Sequence, residues 1–176
     1  MKKAIPFILL FAFASSYGQN NPAPTLKSIL LDQLKTTHNK QEWFVPATPA
    51  LDALTPEQAM WRKDTSNHSI GQLVNHLIFW DNEELAKFNG EKPITFNGNN
   101  DETFATFDKD SWAATVKKLD EILTKWEKAI ENADDAKLQS WYSVIAHIST
   151  HNAYHTGQIL YIRKLQGSWN PAKGVK

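Results

Sequence analysis

The stretch from His147 to His155, His-Ile-Ser-Thr-His-Asn-Ala-Tyr-His, holds three of the chain's six histidines, each four residues from the next. On an α-helix that spacing stacks side chains one turn apart on a single face. Two imidazoles so placed offer two nitrogens to one ion. His147 and His155 lie about 12 Å apart along the axis at ~1.5 Å rise per residue. They cannot share an ion held by bonds of ~2.0–2.1 Å. His151 therefore pairs with one of them. The apolar stripe reads Val144, Ile148, His151, His155, Ile159, Ile162, which places His155 squarely on it while His147 leans off. An imidazole in an apolar core costs free energy unless its nitrogens are hydrogen-bonded or coordinated. A lone core histidine is commonly a satisfied polar group, but two neighbours on one stripe favour ligands.

The pair needs a third ligand from another helix. His76 sits between Leu73 and Trp80, beside Leu77, and borders the stripe of that helix. In a helix bundle, ligands on facing helices converge in the core. His76, His151 and His155 then form the expected metal set: three neutral imidazoles around one divalent cation, with a position open to water. Such an ion lowers the pKa of a bound water, thiol or hydroxyl toward neutrality, which supports hydrolysis or group transfer on a small molecule. The alternative is a non-catalytic metal or small-ligand binding module. His147, Tyr154, Gln158 and Asn75 are near enough in sequence to orient ligands or substrate. His38, four residues after Leu34, is a further candidate for the same cavity. Metal binding is expected to weaken as pH falls toward ~6.5, where protons compete for the same nitrogens.

Other chemistries are absent from the pattern. Asn152 follows His151 where a metalloprotease helix carries Glu. The inner stripes lack the Glu-x-x-His pairs of di-iron bundles, so one ion is expected. There is no cysteine, hence no disulfide, no thiolate ligand and no lipid-anchored cysteine.

Four long helices must position these residues. Leu26, Leu30 and Leu34 give helical spacing over about 25–45. Thr55-Pro56-Glu57-Gln58 combines an N-cap, a proline at the first helical position and a capping-box glutamine, which predicts a short extra helix between the first two long ones. The second long helix starts at Ser69, with Gln72 completing a capping box, and stops at Gly90. A polar connection with an Asn-Gly turn signal follows, long enough to cover one end of the domain. Trp112, Val116, Leu119, Leu123, Trp126 and Ile130 mark the third helix, from about Asp108. The fourth is expected from about Trp141 to Gln166. No strand-like alternation occurs. The expected fold is all-α, a four-helix bundle.

Lys+Arg and Asp+Glu both number 19, which gives no basic face for nucleic acid. Seven tryptophans must be buried or line a pocket. At the N-terminus, Lys2 and Lys3 precede an apolar run from Ala4 to Ala14 and the small residues Ser16 and Gly18, the layout of a secretory signal peptide. The run is short of the ~20 residues that span a bilayer. The expected organisation is a signal peptide over 1–18, a linker over 19–24 and the bundle domain over 25–170. The mature protein would be periplasmic or secreted, with a small-molecule substrate, no nucleic-acid partner and no stable membrane anchor, and a homodimer is one candidate assembly.

Ser-Ile-Gly-Gln-Leu-Val-Asn-His-Leu from Ser69 to Leu77, followed downstream by the His151-x-x-x-His155 pair and Gly157-Gln158, resembles the DinB-like superfamily of bacterial four-helix bundles. The resemblance covers nearly the whole mature chain, including Trp61-Arg62 ahead of the second helix. It implies metal ligation by His76, His151 and His155, usually with zinc or nickel. Family members with assigned activity include thiol-dependent S-transferases and a mycothiol-dependent isomerase. Low-molecular-weight thiols belong mainly to reducing cytoplasm, and an exported chain would meet few of them.

Overall fold

A computed structural model describes residues 23–174. The expected signal peptide and most of the linker lie outside the described residues. Six α-helices follow in order: α1 Leu26–His38, α2 Ala47–Leu51, α3 Pro56–Met60, α4 Ile70–Asn89, α5 Trp112–Asn132 and α6 Asp135–Leu165. No strand occurs among the described residues. α1, α4, α5 and α6 pack as the main bundle, and α2 and α3 are inserted between α1 and α4. No helix among the described residues is long and apolar enough to cross a membrane.

Local chemistry sets the boundaries. Thr25 caps α1 through a capping box with Ser28, and Thr55 caps α3 through one with Gln58. α1 ends at His38 rather than near Val45, and Pro46 opens the unexpected α2. Two short helices therefore stand where one was expected. Ser69 and Gln72 cap α4 reciprocally, and Gly90 ends it in the left-handed conformation at φ 75°, which glycine adopts at no steric cost. α5 starts at Trp112, four residues later than expected. α6 starts earlier than expected, because Asp134 accepts a hydrogen bond from the Lys137 amide and leaves only Ala133 and Asp134 between the helices.

The core runs along the bundle through residues such as Leu34, Leu77, Leu119, Trp126, Ile145 and Ile159. The indoles of Trp112 and Trp126 donate to the carbonyls of Leu54 and Asp81, which satisfies their buried N–H groups. Trp43 departs from the expectation for tryptophans, being 93% exposed.

The register of α6 also differs from the expected stripe. Val144 and Ile162 are only half-buried, while Asn152, Thr156 and Arg163 are buried. Arg163 earns its depth by donating to the carbonyls of Ala50 (2.7 Å), Asp52 (3.0 Å) and Ser168 (2.8 Å), which ties α2 and the C-terminal segment to α6.

The connection between α4 and α5 is strapped along α4. Glu83 accepts from the Ile94 amide, Trp80 donates to the Asn100 side chain, and Gln72 and Asn75 donate to the carbonyls of Phe104 and Ala105. Phe107 lies against Gly71 so closely that a Cβ there would meet its ring at 1.6 Å. A 3₁₀ turn, Asn100–Thr103, thereby comes to rest over His76.

Candidate metal centre

His76 on α4 and His151 and His155 on α6 converge in the bundle. One ring nitrogen from each lies within 4.8 Å of the others. Ring centroids are 5.0 Å apart for His76–His151, 4.8 Å for His76–His155 and 4.6 Å for His151–His155. His76 is 4% exposed and His155 6%, and His151 is half-buried.

Neighbouring groups set the outward nitrogens. The Thr103 hydroxyl donates to the Asn100 carbonyl at 2.6 Å and stands 2.5 Å from His76 Nδ1. With its proton committed, Thr103 accepts from His76 Nδ1–H, and the lone pair is left on Nε2. His155 Nδ1 lies 2.7 Å from Gln158 Oε1, an acceptor, so its lone pair is also on Nε2. Gln158 is oriented in turn by donating its Nε2 to the Tyr154 hydroxyl at 3.3 Å. This is the arrangement by which outer groups fix the tautomer of metal-ligating histidines. His76 Nε2 and His151 Nε2 are 3.1 Å apart. Two ligands of a tetrahedral site with ~2.0–2.1 Å bonds are separated by about 3.3 Å.

Burial pushes the imidazoles down. His76 is lowered to about 3, by burial first and then by His155, His151 and His68. His151 is lowered to about 4, by burial and then by His155. His155 is lowered by burial, with the Gln158 hydrogen bond opposing and His68 adding to the fall. All three rings are neutral near pH 7, the form in which histidine ligates. The donor set therefore fits a divalent cation. The depression moves the expected pH window down: protons compete for His76 at about 3 and for His151 at about 4, and the His155 ring is lowered as well.

Phe104 stacks on His76 at 4.0 Å between centroids, and His68 stacks on the other face of that assembly, 3.8 Å from Phe104. A cavity of about 550 Å³ opens beside the cluster, lined by His76, His151, Trp80, Glu84, His147 and Ile148 among others.

The other sequence candidates divide. His147 is exposed and lines this cavity without joining the three rings. Tyr154 and Gln158 brace His155. Asn75 is instead an anchor of the connecting segment. His38 is not part of this cluster. It is 2% exposed, with Nδ1 2.6 Å from Glu127 and Nε2 2.9 Å from Asp120, both on α5. α1 ends at His38 against α5, which turns the ring to those carboxylates.

Sequence reading missed Thr103, Phe104 and His68. Thr103 and Phe104 lie in an irregular segment with no periodicity, and His68 precedes the helix that carries His76. It also missed a polar pair in the core: Asp81 and Asn152, both 0% exposed. Burial pushes the Asp81 carboxyl well above the usual carboxylate range, and Asn152 beside it opposes that rise.

Residues 47–159 match the family model described as the DinB superfamily. The matched span includes His76, His151 and His155 and leaves out α1. No curated protein and no solved structure matches the chain.

Proposed function

The chain belongs to the DinB superfamily, and on that premise we propose that His76, His151 and His155 hold one divalent cation in a metal-dependent hydrolase or group transferase acting on a small molecule outside the cytoplasmic membrane. The observation that carries this reading is the convergence of three neutral rings, two of them with Nδ1 engaged by a neighbour. Imidazole ligands suit zinc or nickel. Bound there, such an ion supplies Lewis-acid activation of a water, thiol or hydroxyl.

The chain's own residues define the rest. Thr103 and Gln158 hold the rings of His76 and His155, and Phe104 covers one face of His76. Trp80, Val144 and Ile148 form apolar walls against which a small substrate would lie. His147 lines the same cavity and is our candidate to take or return a proton there.

Metal content of untagged protein tests the ligand set. Alanine at His76, His151 or His155 is expected to remove most of the bound metal, and His147→Ala to retain it. Loss of metal from His147→Ala with retention in His155→Ala would reverse the register. Chelator-sensitive turnover of ester, amide or thiol-adduct substrates then separates the enzyme from its alternative.

That alternative is a non-catalytic metal or small-ligand binding module of the cell envelope. One observation favours it: Glu84, the carboxylate lining the cavity, is engaged by Lys87 at 2.6 Å. Tight metal binding without turnover would support this second reading.

A further inference from the structure

A second cavity, about 440 Å³, lies between residues 61–68 and the C-terminal half of α6. Its lining combines two kinds of group. Arg62 and Lys63 bring two positive charges, and among the described residues neither has a hydrogen-bond or ion-pair partner. Lys35, Lys40, Lys87 and Lys109 are paired with carboxylates, while Arg62 and Lys63 stand adjacent and without such a partner at the mouth of one cavity. The acid in the lining, Asp64, is already engaged through Oδ1 by the Ser66 amide (2.9 Å) and the Asn67 side chain (2.6 Å). Two cations stand against the one carboxylate of Asp64, so the lining carries a net positive charge. Trp61, Tyr161 and Leu165 line it too, and the last two are 64% and 46% exposed. Large apolar groups left open beside unpaired cations match a ligand with an apolar body and an anionic head.

We propose that this cavity binds a small organic acid, its apolar body against Trp61, Tyr161 and Leu165 and its carboxylate on Arg62 and Lys63. The site adjoins the histidine cluster through two contacts. Gln158 lines the cavity and bonds His155 Nδ1. His68 lines it and stacks on Phe104, which stacks on His76. An occupant therefore touches groups that position two of the three rings. The proposal needs no metal at the cluster, so it stands or falls separately from the ligand set.

The probe is benzoate, titrated into the full mature chain by calorimetry, with benzyl alcohol as its uncharged counterpart. Benzoate is expected to bind at least tenfold more tightly than benzyl alcohol, with an affinity that falls as salt rises. R62A/K63A removes exposed, unpartnered side chains and is expected to weaken benzoate at least tenfold with an unchanged circular-dichroism spectrum. L165E, which removes an apolar contact and sets a negative charge in the lining, is expected to weaken both probes, and benzoate by more than benzyl alcohol. Chelator-treated protein is expected to bind benzoate as well as the untreated protein does. Equal binding of the two probes, no binding of either, or parental benzoate affinity in R62A/K63A and L165E would overturn the proposal. Loss of benzoate binding on chelation would also overturn it, by placing the acid on the cluster instead.

Discussion

Thr103 decides which nitrogen of His76 faces the cluster, because its hydroxyl proton is already given to a carbonyl. Burial then keeps the ring neutral. An unfolded chain protonates histidine near pH 6.5, whereas His76 in the fold does so near 3 and His151 near 4. Between those values the unfolded state binds more protons than the folded one, so stability rises with pH and is lost as pH falls. The slope approaches about 1.4 kcal/mol per pH unit for each such histidine. Asp81, whose carboxyl is raised by burial, acts with the opposite sign. Comparison with His76→Ala isolates the histidine part. Urea denaturation of metal-free protein is expected to show a midpoint that drops from pH 6.5 toward 4, and drops less steeply in His76→Ala. Parallel curves for the two proteins would show that His76 is not depressed. His76, His151 and His155 were legible as a group because helical spacing and apolar neighbours mark them. Thr103 was not, because what places it is a hydrogen bond across 27 residues rather than any local pattern.

Helix starts with a side-chain cap were the most legible elements: α3 and α4 begin where Thr55 and Ser69 announce them. The register of α6 was harder to read. Its deepest face includes Asn152, Thr156 and Arg163, and hydropathy alone assigns such residues to solvent. Arg163 is buried because three carbonyls surround its guanidinium, a tertiary fact. The connection between α4 and α5 depends on a missing side chain at Gly71. Adding a methyl group there forces the Phe107 ring away, and overpacking of this kind costs about 1–3 kcal/mol. Gly71→Ala is expected to lower stability by that amount and, by loosening the segment that carries Thr103, to weaken metal binding as well. Thermal unfolding and metal titration check the two effects. A stability loss with parental metal affinity would show that the segment holds Thr103 without help from Phe107.

At the scale of the whole molecule, the bundle was legible from four amphipathic periods, while α2 was hidden among prolines in a stretch that reads as irregular. The proposed export rests on residues 1–18 and predicts a mature chain starting near Gln19. N-terminal sequencing of protein from an envelope fraction checks it, and recovery of intact Met1 in the cytosol would sink it. The bundle's closure bears on how such a chain travels. α1 packs against both α5 and α6, and His38 reaches Asp120 and Glu127 across 82 and 89 residues. α1, the first helix among the described residues, thus completes its packing only once α5 and α6 have been made. Contacts of such long sequence separation form slowly, because the loop must close before they reward it. Until then α1 lacks those two neighbours, and the proposed export calls for a chain that crosses unfolded. If the chain is exported as proposed, the pairing of α1 with α5 and α6 is one that forms only after the crossing.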